Sequence, residues 1–394
     1  MNKPQPPNRL ERAFTESQVK RRRHIGIDIL RGFSLLGVLL ANLQSFTYPG
    51  VYLQPLAFAN HTALDRSVEA FIRTFTEGSF YPLFAALFGL GFAMQMQKPG
   101  FTPTQFRRRL IVLLGLGVLH ATLVWEGDIL VSYALLGFAL LPLRTVSNRT
   151  LSFVILACLS YSLGVFYFAS QAGEIPQRYL ELIMTTYAQG SYLEATLVRL
   201  IDLSAVIIEA VFYFPHILAC FIVGLLVGRR GVAETLANRT LLHRIFALSL
   251  GIGLPIVFAH SVAMLTQPRV PAWLASLDTT LGSAALGFAY AAALLLLLQA
   301  PAWQRRLEPL GALGRMSLSN YLMQSLIFTS LYYGYGGGLY ARVPLSVSAL
   351  LALALYILQV LASRWWLSQY VQGPMEALWR RLAYNGTPVL LPEP

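Results

Sequence analysis

The chain has few charged residues and few cysteines. Charged residues make up only 12% of its 394 residues, whereas an ordinary soluble domain carries about 25%. The two cysteines, Cys158 and Cys220, both lie in apolar segments, which argues against a disulfide framework and a cysteine metal site. The sequence also has no close cluster of histidine and cysteine and no helical zinc motif. We therefore predict no metal site.

Hydrophobic residues, by contrast, account for 56% of the chain. A helix needs roughly 20 mostly apolar residues to cross a bilayer, and we identify ten candidate segments. They are residues 25–46, 80–97, 110–126, 129–143, 151–170, 203–227, 245–265, 279–300, 316–336 and 345–367. The sequence therefore predicts an all-α, polytopic membrane protein with about ten transmembrane helices.

The positions of the basic residues predict how these helices are oriented. With the N-terminus inside, 23 of the 30 lysines and arginines fall on the cytoplasmic side and six on the other side, with Arg31 inside the first span. Such an excess predicts that both termini are cytoplasmic. The net charge of +12 then reflects topology, which argues against a nucleic-acid partner.

The polar ends flank one membrane domain. Residues 1–24 are predicted to be a basic cytoplasmic tail, residues 25–370 the transmembrane helical domain, and residues 371–394 a cytoplasmic C-terminal segment. No small-residue cleavage site follows a short apolar core, which favours an uncleaved anchor over a signal peptide. On the outer side, the pattern of residues 171–202 predicts an amphipathic helix along the membrane interface.

The first span contains a charged pair, Asp28 and Arg31, and ends with Asn42. Charges at membrane depth are costly and usually serve a substrate path, a proton path or a structural ion pair. Because the two residues are three positions apart on a helix, their side chains share a face and can neutralise each other.

A second polar group lies at the outer end of the third span, where His120 is followed by Glu126, Gly127 and Asp128. A histidine beside carboxylates can act as a general base, because a carboxylate fixes the tautomer and raises the basicity of the ring. Alternatively, the two carboxylates cap the positive N-terminal end of the fourth helix.

Two further histidines have open interpretations. His61 lies in the first outer loop, four residues before Asp65, where most histidines are simply solvated. His216 follows a proline within a span, and Glu209 lies two turns earlier on the same face. That pair predicts either a proton path or a packing contact.

The ninth span opens with a polar stripe of Ser317, Asn320, Tyr321 and Gln324. Polar side chains of this kind often bridge helices in lipid. Because the stripe lies in the cytoplasmic half, as Arg31 does, it is also a candidate lining for a passage.

Four segments resemble a known family. They are residues 28–33 (DILRGF), 126–130 (EGDIL), 314–325 (GRMSLSNYLMQS) and 373–384 (GPMEALWRRLAY). Together they resemble the YeiB-like bacterial membrane proteins, a family labelled domain of unknown function 418, over nearly the whole chain. The opening motif is also similar to that of transmembrane acyltransferases, including heparan-α-glucosaminide N-acetyltransferase.

This resemblance implies an acyl transfer across the bacterial cytoplasmic (inner) membrane, from cytoplasmic acyl-CoA to an acceptor on the outer face. In the heparan enzyme, the asparagine eleven residues after the arginine and a histidine in the next outer loop are important for catalysis. Asn42 matches that asparagine, and His61 is the nearest counterpart of the histidine; otherwise His120 is the base. The implied catalytic residues are His61, His120, Asn42, Glu126 and Asp128, and the implied donor-binding residues are Asp28, Arg31, Arg315, Asn320 and Gln324.

The leading hypothesis is thus a membrane-embedded acyltransferase, in which Asp28 orients Arg31 toward a cytoplasmic anionic ligand. Its expected partners are membrane lipids, acyl-CoA and an outer-face acceptor, and a homo-oligomer is compatible with the sequence. The first alternative is a small-molecule or ion-coupled transporter that uses Asp28, Glu209 and His216, although the sequence lacks the internal repeat of many transporters. A non-catalytic scaffold or sensor is the second alternative.

Overall fold

The computed structural model describes residues 9–48, 62–171, 176–204, 210–266 and 269–384. These residues form helices joined by turns, and they include no β-strand. Six helical stretches are long and apolar enough to cross a membrane. They are Ile25–Thr47, Ala63–Met96, Asn148–Ala169, Arg239–Met264, Ala272–Leu297 and Leu345–Gln369. The all-α prediction is confirmed.

Each of the ten apolar segments overlaps a helix, and shorter helices lie between them. In chain order the helices are α1 (Arg9–Thr47), α2 (Ala63–Phe75), α3 (Phe80–Met96), α4 (Pro103–Leu123), α5 (Leu130–Leu143), α6 (Asn148–Ala169), α7 (Gln177–Gln189), α8 (Tyr192–Ser204), α9 (Phe214–Arg230), α10 (Val232–Ala237), α11 (Arg239–Thr266), α12 (Ala272–Leu277), α13 (Ser283–Leu297), α14 (Pro301–Arg315), α15 (Ser317–Tyr332), α16 (Leu345–Gln369) and α17 (Pro374–Ala383). A π-helical turn, Asp278–Gly282, joins α12 to α13.

Capping side chains define where several helices begin. Thr102 caps α4, and Ser147 caps α6, each by accepting a backbone N–H. Thr62 and Asp65 form a reciprocal capping box at the start of α2. Asp65 also accepts hydrogen bonds from the backbone and hydroxyl of Ser346, which ties α2 to the first turn of α16.

Helix α1 lies at the centre and packs against α3, α14, α15 and α16. Its closest approach is to α14, where a Cβ on Gly314 would lie 1.8 Å from the backbone oxygen of Asp28 and one on Gly32 would lie 2.1 Å from that of Leu310. Glycine permits this backbone contact, as at many helix crossings in membranes. The crossing brings Arg315, the last residue of α14, next to the charged pair of α1.

Helices α6 and α11 lie at the periphery, with most of their surface exposed. Their exposed side chains are large and apolar, including Phe153, Leu156, Leu248 and Phe258. A helix with an apolar outer face suits lipid rather than water.

Candidate functional site

A cavity of about 270 Å³ lies between α1, α3, α4, α5, α14, α15 and α17. Its polar walls are at the end where α4 begins and α14 ends, and its interior is almost wholly apolar. The polar lining comes mainly from Arg31, Arg109, Arg315, Ser317 and Glu376; the apolar lining includes Leu35, Val38, Phe84, Phe88, Leu113 and Leu130. The cavity thus suits an amphiphile with an anionic head.

The polar end of the cavity, lined by Arg31, Arg109 and Arg315, is called the arginine mouth. The charged pair of α1 contributes Arg31 to this mouth. Arg31 Nη1 donates to Asp28 Oδ1 at 3.4 Å, and Arg31 lines the cavity whereas Asp28 does not. Asp28 is also within electrostatic reach of Arg315, whose Nη2 donates to the backbone oxygen of Val371. Asp28 therefore lies behind the two arginines and can hold them in place.

Arg109 is fixed by the C-terminal helix α17. The indole Nε1 of Trp379 donates to the backbone oxygen of Arg109 at 2.8 Å, and the Arg109 guanidinium lies 4.5 Å from the centroid of the Trp379 ring. Arg109 Nη1 also donates to the hydroxyl of Tyr384 at 3.3 Å. These partners are neutral, so the positive charge of Arg109 is not compensated by them.

Glu376, the acidic side chain of the mouth, serves another purpose. Its Oε1 accepts the backbone N–H groups of Leu318 at 2.8 Å and Ser319 at 3.1 Å, at the first turn of α15. A carboxylate in this position is stabilised by the helix dipole. The charge of Glu376 is therefore directed to the helix end rather than to the arginines.

Beyond the apolar interior lies the His120–Asp128 pair. His120 Nδ1 donates to Asp128 Oδ2 at 2.6 Å, and both side chains are almost fully buried. Asp128 Oδ1 also accepts the backbone N–H of Val131 at 2.8 Å. One carboxylate thus holds the histidine and caps α5 at once, so the two interpretations of Asp128 are compatible.

The other ring nitrogen of His120, Nε2, is buried without a hydrogen-bond partner among the described residues. With its proton on Nδ1, a neutral imidazole carries a free lone pair on Nε2. An unsatisfied buried polar atom costs about 1–3 kcal/mol, so its presence calls for a functional explanation. This lone pair makes His120 a candidate base.

Tyr321 connects the cavity to this pair. It lines the cavity, and its ring centroid lies 5.3 Å from that of His120. Its hydroxyl donates to the backbone oxygen of Gly127 and accepts the N–H of Ile129, at 3.5 and 3.4 Å. A ligand that fills the cavity therefore reaches a residue in direct contact with the candidate base.

Gly117 allows α4 and α5 to approach closely enough to form the pair. A Cβ at this position would lie 2.7 Å from the backbone nitrogen of Val131 and 3.1 Å from Asp128 Oδ1. A larger residue would separate the helices and move Asp128 away from His120.

Asn42 lies on the C-terminal half of α1, one turn before Phe46. The Phe46 ring lies 4.3 Å from that of Trp125, which in turn contacts His120 with ring centroids 6.5 Å apart. Asn42 is half-buried, and among the described residues no hydrogen bond joins it to His120 or Asp128.

Glu126 belongs to a separate cluster, at the end of the bundle where α4 ends and α5 begins. Tyr333 donates to both of its carboxylate oxygens at 3.3 and 3.4 Å, and Arg199 Nε lies 4.0 Å from Oε2. Arg199 is completely buried and also donates to Leu123 O and to the hydroxyl of Tyr335. The structure therefore ties Glu126 to α8 and to the turn after α15.

Glu126 lies in the connection after α4, and burial raises its pKa to about 7 despite the opposing effect of Arg199. Desolvation disfavours the charged carboxylate, whereas a nearby guanidinium favours it. We therefore expect the Glu126 carboxyl to change its charge near neutral pH.

Asn320 and Gln324 belong to the polar stripe of α15 but do not line this cavity. The Asn320 amide donates to Met316 O and Ser363 Oγ, and Gln324 Nε2 donates to Gln359 Oε1 at 2.8 Å. Both residues thus bind α16, and only Ser317 and Tyr321 of the stripe line the cavity.

The remaining histidine predictions have different outcomes. His61 and Glu209 lie outside the described residues. His216 is completely buried, with Nδ1 2.9 Å from the Tyr81 hydroxyl and Nε2 3.0 Å from Thr280 O. These contacts join α9 to α3 and the π-helical turn, as the packing interpretation of His216 expects.

The sequence alone predicts no role for Glu376, Trp379 or Arg199. The first two lie in the 373–384 segment that carries the family resemblance, so a signal was present. For Arg199 no signal existed, because its carboxylate and tyrosine partners are distant in the chain.

Comparison with known proteins places the chain in a family. Residues 227–386 match a family model described as Protein of unknown function (DUF418). The chain is 30% identical over 387 residues to the uncharacterized protein YxaH of Bacillus subtilis (strain 168), covering 91% of this chain and 93% of the relative. The chain belongs to the DUF418 family.

Two other relatives span similar lengths. An uncharacterized 39.9 kDa protein from the amylase 3' region of Bacillus acidopullulyticus is 31% identical over 371 residues, covering 93% of this chain and 95% of the relative. The uncharacterized protein YeiB of Escherichia coli (strain K12) is 26% identical over 395 residues, covering 91% and 96%. The DUF418 match includes α14, α15 and α17, and therefore Arg315, Tyr321, Glu376 and Trp379 of the cavity wall.

Proposed function

We propose that the protein is a membrane-embedded acyltransferase that moves an acyl group from cytoplasmic acyl-CoA to an acceptor on the outer face. One observation carries this proposal: a cavity that begins between arginines and ends at Tyr321, the neighbour of a buried His–Asp pair. The two ends of this cavity match the two ends of an acyl thioester carried by coenzyme A.

The arginine end suits the donor's phosphates. Arg31, Arg109 and Arg315 line one opening, and a guanidinium is the side chain best matched to phosphate. The apolar interior excludes charge and accommodates the uncharged arm and the acyl group. In this proposal Asp28 positions Arg31, as the sequence analysis predicts.

The His120 end supplies the base. The acceptor's hydroxyl or amine gives its proton to Nε2 as its oxygen or nitrogen attacks the thioester carbonyl. The C–S bond breaks, the coenzyme A thiolate leaves, and it takes the proton back from the imidazolium. Asp128 stabilises the imidazolium between these steps.

We also propose that ten helices cross the bacterial inner membrane with both termini cytoplasmic. The arginine distribution supports this orientation, and so does the clustering of residues. Arg109, Arg315 and Glu376 come from three segments assigned to the cytoplasmic side, and they meet Arg31, in the first half of the first span, at one cavity mouth. The acceptor side is then the side of the Glu126–Arg199 cluster.

Thiol release from acyl-CoA by the purified protein in lipid nanodiscs tests the proposal. The donors carry acyl chains of several lengths, and the acceptors are glycans, lipids and metabolites that bear a hydroxyl or an amine. We expect acceptor-dependent release that falls at least 100-fold in His120→Gln. His243→Gln is the matched control, because His243 is exposed on α11. Binding without any covalent product, together with substrate flux in proteoliposomes, would instead favour a transporter.

A further inference from the structure

A second, smaller cavity adjoins the arginine mouth. Its volume is about 90 Å³, and it is lined by Arg109, Glu376, Trp379, Arg380 and Ala383. Three of these residues, Arg109, Glu376 and Trp379, line the large cavity as well. The two spaces are therefore neighbours at the cytoplasmic end of the proposed donor site.

The charge balance of the small cavity is positive. Glu376 and Arg380 are four residues apart on α17, a spacing that ordinarily favours an ion pair. Glu376 instead accepts hydrogen bonds from Leu318 N and Ser319 N at the start of α15. Within the part of the chain that the structure describes, no carboxylate lies within ion-pair distance of Arg380 or Arg109.

The contacts of α17 also make this arrangement rigid. Gly373 permits the close approach to α15, because a Cβ there would lie 2.9 Å from Ser319 Oγ. Trp379 is hydrogen-bonded to the backbone of Arg109 and stacked under its guanidinium. Two guanidiniums are thus presented beside one aromatic wall, with the Arg109 group prepositioned.

We propose that Arg109 and Arg380 form a phosphate subsite that binds one phosphate of the nucleotide headgroup of the donor. A volume of about 90 Å³ equals that of roughly three water molecules, which suits a phosphate group but not a nucleotide. This inference rests on the proposed function. It adds which side chains hold the nucleotide end of the acyl-CoA donor, because a pantetheine thioester that lacks the nucleotide cannot use the subsite.

Binding of coenzyme A, dephospho-coenzyme A and pantetheine to the full-length protein in zwitterionic nanodiscs tests this subsite. Arg380→Gln should weaken coenzyme A binding about tenfold and leave pantetheine binding unchanged. Arg381→Gln is the matched control, since Arg381 is the next residue, is exposed and does not line either cavity. It should change the affinity less than twofold. Loss of the effect with dephospho-coenzyme A would identify the 3'-phosphate as the bound group, whereas its persistence would identify the pyrophosphate.

Three results would overturn the inference. Equal effects of Arg380→Gln and Arg381→Gln would indicate a diffuse charge effect. Unchanged coenzyme A affinity in Arg380→Gln, with altered retention of an anionic phospholipid in nanodiscs, would assign the subsite to a lipid headgroup. In both cases the wild-type protein still binds coenzyme A, so the proposed function survives; failure of wild-type binding would reject both.

Discussion

At the scale of single residues, Asp128 has two separable tasks. Oδ2 accepts from His120 and Oδ1 accepts from Val131 N. Asp128→Asn keeps an acceptor for the helix cap but removes the charge that stabilises a protonated histidine. We expect acyl transfer to fall about 10²–10⁴-fold with little change in unfolding temperature.

Asp128→Ala is the companion variant. It removes the cap as well, so it should also lower the free energy of unfolding by ~1 kcal/mol. The two variants are compared by thermal unfolding and by thiol release from acyl-CoA. Equal activity of wild type and Asp128→Asn would contradict a base function for the pair.

Glu126 gives a prediction of pH dependence. Burial raises its pKa from 4.5 to about 7. Between these two pH values, the carboxyl keeps its proton in the folded protein but loses it in the unfolded chain. The stabilisation contributed by protonated Glu126 is therefore fully present below about pH 4.5 and is lost as the pH rises through about 7. We expect the unfolding temperature of the wild type to fall relative to that of Glu126→Gln over this pH interval. At higher pH the difference between the two temperatures should stay constant. A constant difference from pH 4 to pH 8 would contradict the assignment.

At the scale of helices, the α1–α14 crossing sets the position of the arginine mouth. A Cβ at Gly314 would lie 1.8 Å from Asp28 O, whereas one at Gly311 would make an ordinary 3.5 Å contact with Ile29. Gly314→Ala should therefore force the helices apart, cost ~1–3 kcal/mol of stability and weaken donor binding. Thermal unfolding and coenzyme A titration measure these effects.

Gly311→Ala is the control on the same helix. Alanine is favoured over glycine in a helix by up to ~1 kcal/mol, so this variant should be neutral or slightly more stable. Similar behaviour of the two variants would show that the crossing does not constrain the site.

The helices also show what the sequence can predict. Apolar segments identify α1, α3 and α16 because each is long and mostly hydrophobic. Helix α14 was not predicted, since its prolines and charged residues give no apolar run; its packing on α1 depends on glycines whose partners are distant in the chain. The predicted single helix at residues 171–202 is in fact two, α7 and α8, with a break at Gly190.

The rotation of a helix about its axis is equally hard to predict. Asn320 and Tyr321 are adjacent, yet Asn320 bonds to α16 while Tyr321 lines the cavity. Sequence spacing assigns residues to a face, but only the neighbouring helices decide which face borders the cavity. The His120–Asp128 pair was predictable because both residues lie on one short hairpin.

At the scale of the whole molecule, the proposed topology places α7 outside and α17 inside. With Cys158 and Cys220 replaced by alanine, Gln177→Cys should react with a membrane-impermeant thiol reagent in intact cells. Arg381→Cys should react only after the cells are opened. Both positions are exposed, and the opposite labelling pattern would contradict the proposed orientation.

The proposed function requires the cavity to bind an acyl-CoA from the cytoplasmic side and to present its thioester next to His120. A structure of the protein determined in nanodiscs with a non-hydrolysable acyl-CoA analogue tests this requirement. We expect density through the cavity, with phosphates against Arg31, Arg109 and Arg315 and the acyl end beside Tyr321. Density for the analogue elsewhere, or a cavity filled by lipid in the presence of saturating analogue, would contradict it.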